Sequence, residues 1–462
     1  MAPRLCAVDA RRRLAYNSHV MRRITGTTIY TYVACPRAAE LDLHEDRSRR
    51  RPLTEAEELS RLRGRELEAL RTAKLGYAEP RYAKNDYADG AQQTLALLRD
   101  GVAGVSQGVL ADGDLLGIPD LVRKEPGASA FGDFHYVVGD VKSSRRPRTD
   151  QLLQVAFYAR LLAAIQGRMP EYGYLVMRDG REERFRLADY GDAIDEVDAR
   201  VAALLDPARA ARERPFLAAP CSGCTWSEHC SKELHERADL SLLQRMTRGL
   251  RDTLETAGIR DCHAAAVMAI ETTARRTHLE AALLRRIKRA AESWLAREPL
   301  TEPRGRQNPL PDHALVSIVV DGFEERALCF GVLVPGAGEP LLVEPHSRGE
   351  ELGAFLGLVA RVPEHLALAH HGLALPRWFA EASRQQSGAH ALERRFLDLS
   401  PRFRGAATYP RPIFELADYV RAALGREPAR IGQAVHEGSE GLAERGREEL
   451  QDLAALVGRL MR

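Results

Sequence analysis

Two aspartates and a lysine have the types and spacing to do chemistry together. Asp120 lies near the end of the run LLGIPDLV, and twenty residues later Gly139-Asp140-Val141-Lys142 closes the run FHYVVGDVK. In an extended segment successive side chains point to opposite faces, so Asp140 and Lys142 share one face and Val141 turns into the core. If the two runs pair with facing ends, both carboxylates converge, and hard oxygen ligands suit Mg²⁺ or Mn²⁺. An ion held there would activate water and neutralise the charge that builds on a phosphodiester under attack. Asp120 and Asp140 are thus the expected metal ligands, with the Val141 carbonyl as a further oxygen. Lys142 is expected to orient the water or stabilise developing charge. The chain holds only six lysines among its 67 basic residues, and a compact ammonium whose pKa can shift fits this role better than a guanidinium.

Two neighbouring segments offer partners. In TDQLLQVAFYARLLAAIQG, Gln154 and Tyr158 are four apart and fall on one helical face, able to look back at the acids. Upstream, Gly64-Arg65-Glu66-Leu67-Glu68 provides Glu68 as a third carboxylate, with Glu66 as an alternative. An Asp-x-Lys alone is usually a solvated pair at a strand end. The ordered set of helix acid, I-P-D, V-G-D-V-K and Q-x-x-x-Y is what points to a site.

Cysteines form a second constellation. Cys221, Cys224 and Cys230 make a C-x₂-C-x₅-C run, and Cys35 in Ala34-Cys35-Pro36-Arg37 offers a distant fourth thiolate. Four soft ligands suit a [4Fe–4S] cluster or, with the same residues, zinc. Cys6, Cys262 and Cys329 fall outside the pattern and are expected to behave as small hydrophobes. Seven cysteines scattered over 462 residues are unlike the dense, paired usage of secreted scaffolds.

The elements that must carry these residues read as follows. Residues 22–105 are mostly helical, with a helix expected from Thr54 through Leu75 on the spacing of Leu59, Leu62, Leu67 and Leu70. From Val105 a hairpin around Asp112-Gly113-Asp114 and a third strand are expected, then the Gln154 helix, then two strands about the Asp179-Gly180 turn. That order is an α/β core. Residues 237–298 read as a helical spacer in which Gly258 caps one helix and turns into the next, favoured over a helix-hairpin-helix DNA grip. Prolines 299, 303, 309 and 311 mark a linker over 299–312, and ALVSIVV with ERALCFGVLVPG then opens a further domain with a hairpin.

Bulk composition is that of an ordinary soluble protein: 45% hydrophobic and a formal net charge of +2, which neither demands nor forbids a polyanion partner. No run is apolar enough to span a bilayer, and the first twenty residues lack the apolar centre of a secretory signal, so a cytoplasmic address and no membrane partner are expected.

Taken together, Asp120, Asp140, Lys142, Gln154 and Tyr158 with Cys35, Cys221, Cys224 and Cys230 resemble the RecB-like PD-(D/E)XK nucleases with an iron–sulfur cluster. That group includes the CRISPR-associated exonuclease and the nuclease domain of AddB. The segment Cys35 to Leu43 and the late Leu-x-x-Ala-Gly-Ile element are similar, more narrowly, to a two-part family in which an RNase H-like exonuclease half follows the nuclease half. The resemblance implies a restriction-endonuclease-like mixed-sheet core over 22–236 behind an N-terminal extension over 1–21, and an RNase H-like α/β domain over 313–462. Where many relatives carry a histidine near Glu68, this chain has Leu67.

The second half departs further. An RNase H-like exonuclease would begin with Asp-x-Glu on its first strand, yet here those positions read Ser317 and Val319; the segment from His370 to Leu375 lacks the next aspartate, and Asp452 is the one candidate survivor. Without converging carboxylates two metals cannot be held, so this domain is expected to keep the fold without the chemistry, and to bind nucleic acid or a partner.

The function expected is therefore a Mg²⁺- or Mn²⁺-dependent deoxyribonuclease acting on single-stranded DNA or DNA ends, exonuclease before endonuclease. It would serve DNA repair, recombination or phage defence, with a helicase or a defence-complex protein as partner. RNA stays open as substrate, because the site residues contact phosphate and not base. The alternative is a non-catalytic nucleic-acid-binding or scaffold subunit.

Overall fold

The computed structural model describes residues 23–205, 213–301, 309–321, 326–347, 349–384, 390–428 and 438–461. The N-terminal extension with Cys6, and residues 302–308 of the expected linker, lie outside the described residues. The chain divides into two units, residues 1–49 with 61–214 and residues 50–60 with 215–462. Both are mixed α/β.

In the first unit a short strand β1 (Ile24–Thr25) leads into helices α1 (Gly26–Ala34) and α2 (Pro36–His44). Thr25 starts α1 by accepting the Thr28 N–H, and Pro36 at the first position of α2 loses nothing, since its missing N–H has no partner there. Helix α3 (Glu55–Ala73) and helix α4 (Tyr87–Arg99) follow. The first of these covers the helix expected over 54–75, but Leu62 and Leu70 are 44% and 54% exposed, so only part of the leucine spacing marks a core face.

The strands expected between 105 and 142 number five: β2 (Gly104–Ser106), β3 (Leu110–Asp112), β4 (Leu115–Gly117), β5 (Leu121–Ser129) and β6 (Gly132–Val141). The hairpin at Gly113 is present as β3 against β4, but it pairs with β1 in a small sheet of its own. Strand β2 instead pairs with β5. What separates β2 from β3 is Gln107, which takes a left-handed φ of 52°.

After β6 come α5 (Thr149–Gln166), β7 (Tyr172–Val176), β8 (Glu182–Arg186) and α6 (Gly191–Leu204), giving a five-stranded sheet of order β2-β5-β6-β7-β8. Only the β6–β7 pair is parallel, because the α5 crossover joins them. Helix α5 is buried on most of its circumference, as a central helix must be, and it ends at Gly167 with φ of 68°. Its last residue, the fully buried Gln166, accepts the Tyr136 N–H at 2.8 Å and donates to the Tyr136 carbonyl at 3.1 Å. The helix end is thereby tied to the middle of β6.

In the second unit α7 (Ser227–Glu236), α8 (Arg248–Thr256), α9 (Cys262–Val267), α10 (Ile270–Thr277) and α11 (Ala281–Ala296) form a helical region around Leu240, Leu254, Leu284 and Ile287. Gly258, with φ of 89°, turns α8 towards α9. Cys262 is fully buried there.

Strand β9 (Leu300–Thr301) precedes the second large sheet, built from β10 (His313–Val320), β11 (Ala327–Leu333), β12 (Leu341–Val343), β13 (Ala367–His370) and β14 (Phe396–Asp398). Its order is β12-β11-β10-β13-β14, with β10–β11 and β11–β12 antiparallel and β10–β13 and β13–β14 parallel. Helices α12 (Glu351–Val359), α13 (Ala374–Ala382), α14 (His390–Glu393), α15 (Ser400–Ala406), α16 (Leu416–Tyr419) and the long α17 (Gly438–Leu460) complete it, while β15 (Ala407–Thr408) pairs with β9. Phe330, Phe355 and Phe379 fill one side, and Phe403, Tyr409 and Leu453 the other. Cys329 is fully buried. No described helix is long and apolar enough to cross a membrane.

Candidate active site

The register of β5 against β6 brings the two aspartates together. Leu121 pairs with Gly139, so one step outwards Asp120 stands opposite Asp140. The Asp120 N–H donates to Asp140 Oδ1 at 3.2 Å, and the Val141 N–H donates to Asp120 Oδ2 at 2.7 Å. Both acids are buried, 8% and 3% exposed. Val141 points the other way, into a cluster with Leu121, Val137 and Tyr174.

Lys142 shares the Asp140 face. Its Nζ forms an ion pair with Asp140 and donates to Gln154 Oε1 at 2.8 Å. Gln154 Nε2 in turn donates to the Tyr158 hydroxyl at 3.0 Å, so the i, i+4 face of α5 does look back at the acids. Tyr158 fits only because two glycines make room. A Cβ on Gly26 would lie 2.3 Å from its hydroxyl, and one on Gly117 would lie 2.7 Å from its ring.

Glu68 of α3 is brought in through Gln107, a residue with no place among the sequence expectations. Gln107 Nε2 donates to Glu68 Oε1 at 2.5 Å and to Asp120 Oδ1 at 2.9 Å. Beside it a cleft of about 710 Å³ opens, lined by Glu79, Pro80, Arg81, Tyr82, Ala83, Asp89 and Gln107. No sequence signal announces Gln107: a glutamine between two short strands is common, and its left-handed backbone is a conformation that composition would assign to its neighbour Gly108.

Charged groups are concentrated in this buried cluster. Burial, the charge of Asp140 and its hydrogen bond, and the charge of Glu68 push the Asp120 carboxyl well above the usual range, against a smaller pull from the Val141 N–H. Burial works against the Lys142 ammonium, but Asp140 and Asp120 outweigh it and raise its pKa. Burial and the two aspartates likewise raise Tyr158, keeping its hydroxyl protonated. Lys142 is ion-paired to Asp140, and Asp120, the partner pushed upwards, keeps its proton in place of a second charge. Among the described residues no three His, Cys, Asp or Glu side chains form a preassembled metal cage; the acids are linked by hydrogen bonds instead.

Residues 34–231 match the model of the PD-(D/E)XK nuclease superfamily. This segment is a PD-(D/E)XK nuclease superfamily domain. The match contains Glu68, Gln107, Asp120, Asp140, Lys142, Gln154 and Tyr158, and also all four cysteines of the expected cluster. No curated protein matches the chain.

Within the PD-(D/E)XK nuclease domain the cysteines fall in different units: Cys35 caps α2 in the first, and Cys221, Cys224 and Cys230 lie in the second. None of the four is disulfide-bonded. The Ala218 N–H points to Cys221 Sγ at 3.5 Å and the Trp226 N–H to Cys224 Sγ at 3.4 Å. Residues 50–60 pack with this loop, the Arg51 N–H bonding the Thr225 carbonyl at 2.9 Å and Arg50 lying over the Trp226 ring at 5.3 Å.

The positions singled out in the second half do not assemble an acidic site. Ser317 is 2% exposed and donates to the Gly446 carbonyl of α17 at 3.2 Å, and Val319 is buried. Asp452 is ion-paired to Arg426. Asp398, beside His370 on the neighbouring strand, spends Oδ1 on the Gly372 N–H at 3.1 Å, the Ser400 N–H at 2.9 Å and the Ser400 hydroxyl at 2.6 Å. Burial lowers both His370 and His371, the latter to about 4, so both imidazoles are neutral near pH 7.

Proposed function

We propose that the chain is a Mg²⁺- or Mn²⁺-dependent deoxyribonuclease of the RecB-like type, cutting single-stranded DNA or DNA ends. The observation that carries this reading is the buried Asp120–Asp140 pair with Lys142 joined to one of its members. Asp120, Asp140 and Glu68 would hold the ion, with the Val141 carbonyl as a further oxygen, and the ion would supply an activated water and charge for the phosphate. Lys142, fixed by Asp140 and Gln154, presents its ammonium to charge developing on the phosphate oxygens. Tyr158 holds Gln154, and Gln154 holds Lys142, so the two α5 residues act by orientation.

The soft donors Cys35, Cys221, Cys224 and Cys230 suit a structural [4Fe–4S] cluster. The second half, with its sheet of order β12-β11-β10-β13-β14, would be the RNase H-like domain, and the ties of Ser317 to Gly446 and of Asp452 to Arg426 support a role in holding nucleic acid or a protein partner, not in catalysis. A cytoplasmic enzyme of repair, recombination or phage defence accords with this set.

The test is cleavage of 5′- and 3′-labelled single strands, duplex ends and matched RNA by the purified chain with Mn²⁺ or Mg²⁺. DNA cleavage that is lost in Asp140→Ala and in Lys142→Ala supports the reading. Cleavage that persists in both variants, or salt-sensitive binding with no cleavage of any substrate, overturns it.

A further inference from the structure

The residue that binds two of the acids to one another is also backbone-strained. Gln107 sits at φ of 52°, a region in which a long side chain is held only when its surroundings over-determine it. Gly108 stands next to it, so a glycine at the turn itself was one position away; the chain keeps a glutamine there. Three bonds converge on that choice. Its N–H donates to the Asp120 carbonyl at 3.2 Å, and its Nε2 donates to Asp120 Oδ1 and Glu68 Oε1.

An amide nitrogen carries two hydrogens, and both are committed here. Each carboxylate oxygen keeps a lone pair after accepting one such bond, so the tether leaves both acids able to take a cation. Without it, a half-buried Glu68 on a helix and a buried Asp120 beside a strand would lose the side chain that bridges them and fixes their spacing.

We propose that Gln107 is a positioning residue that sets Glu68 and Asp120 at one spacing for a divalent cation, an inference that rests on the nuclease reading above. It acts through the two acids, as hydrogen-bonding partners of metal ligands do, and loss of such partners weakens metal binding by about 10–100-fold.

Mn²⁺ is titrated calorimetrically into the full chain, comparing wild type with Gln107→Asn and Gln107→Gly. Asparagine accepts the left-handed backbone, but its shorter amide cannot span both acids; glycine removes the side chain and the strain together. Both variants are expected to bind Mn²⁺ about tenfold or more weakly, to keep unfolding midpoints in EDTA close to wild type, and to recover cleavage at saturating Mn²⁺. Should the asparagine variant unfold, the strain-free glycine variant carries the test. A wild type that binds Mn²⁺ and cleaves, beside variants of unchanged Mn²⁺ affinity, overturns the role of Gln107 alone. A wild type that takes up no Mn²⁺ overturns the reading of the site itself, and this role with it.

Discussion

Asp120 and Asp140 are joined through each other's backbone: the Asp120 N–H reaches Asp140 Oδ1, and the N–H just after Asp140 reaches Asp120 Oδ2. Two buried carboxyls this close resist being ionised together, and the fold holds them by amide dipoles and by Lys142 on one side only. The imbalance is largest when no cation is present, and three of the expectations below follow from it or from its supports.

Because the Asp120 carboxyl is pushed up in the folded state, the native protein keeps a proton that the unfolded chain has already released. Its stabilising contribution is complete below the ordinary carboxylate range and is lost as pH rises through the raised native value. Melting midpoints in EDTA should therefore fall as pH rises above the ordinary carboxylate range, and Mn²⁺, by replacing the proton, should flatten the slope. Equal slopes with and without Mn²⁺ would count against an ion at this pair.

Gly26→Ala forces a methyl group into the Tyr158 hydroxyl. Overpacking of this kind costs about 1–3 kcal/mol, read in urea unfolding, and cleavage should drop further than stability explains, since Tyr158 holds Gln154. A variant with wild-type midpoint and rate would show that Tyr158 can move without consequence.

Anaerobically purified protein should be brown, with a broad visible band that bleaches on reduction, and Cys224→Ala should lose the band. Zinc at one equivalent per chain in a colourless protein would replace iron in the same four ligands.

Ser317→Asp places a carboxylate against the Gly446 carbonyl in a position that is 2% exposed. Burial of an unpaired charge should cost about 2–4 kcal/mol and create no second cleavage activity; a stable variant that gained Mg²⁺-dependent exonuclease activity would be falsifying evidence for a closed second centre.

Much of the site is legible from local rules. Alternation along β6 separates Asp140 and Lys142 from Val141, and four-residue spacing on α5 puts Gln154 and Tyr158 on one face. Both depend on the geometry of a single element, which sequence encodes directly. The split of VSQGVLA into strands of two different sheets is not legible, because it turns on a left-handed residue that is not glycine. Nor is the grouping of residues 50–60 with the cysteine loop, which rests on the Arg51–Thr225 backbone bond and on Arg50 over Trp226, contacts between segments far apart in the chain. Leu62 and Leu70 show the converse error: helical spacing predicts a buried face that the fold leaves exposed.

The clasp between Gln166 and Tyr136 reaches beyond packing. Tyr136 lies four residues before Asp140, and Gln166 lies twelve after Gln154, so one side chain fixes how far the helix can slide along the strand, and with it the alignment of Lys142 with Gln154. A screen for inactive variants would be expected to return substitutions at Gln166, a residue remote from any phosphate, and their defect would be one of alignment.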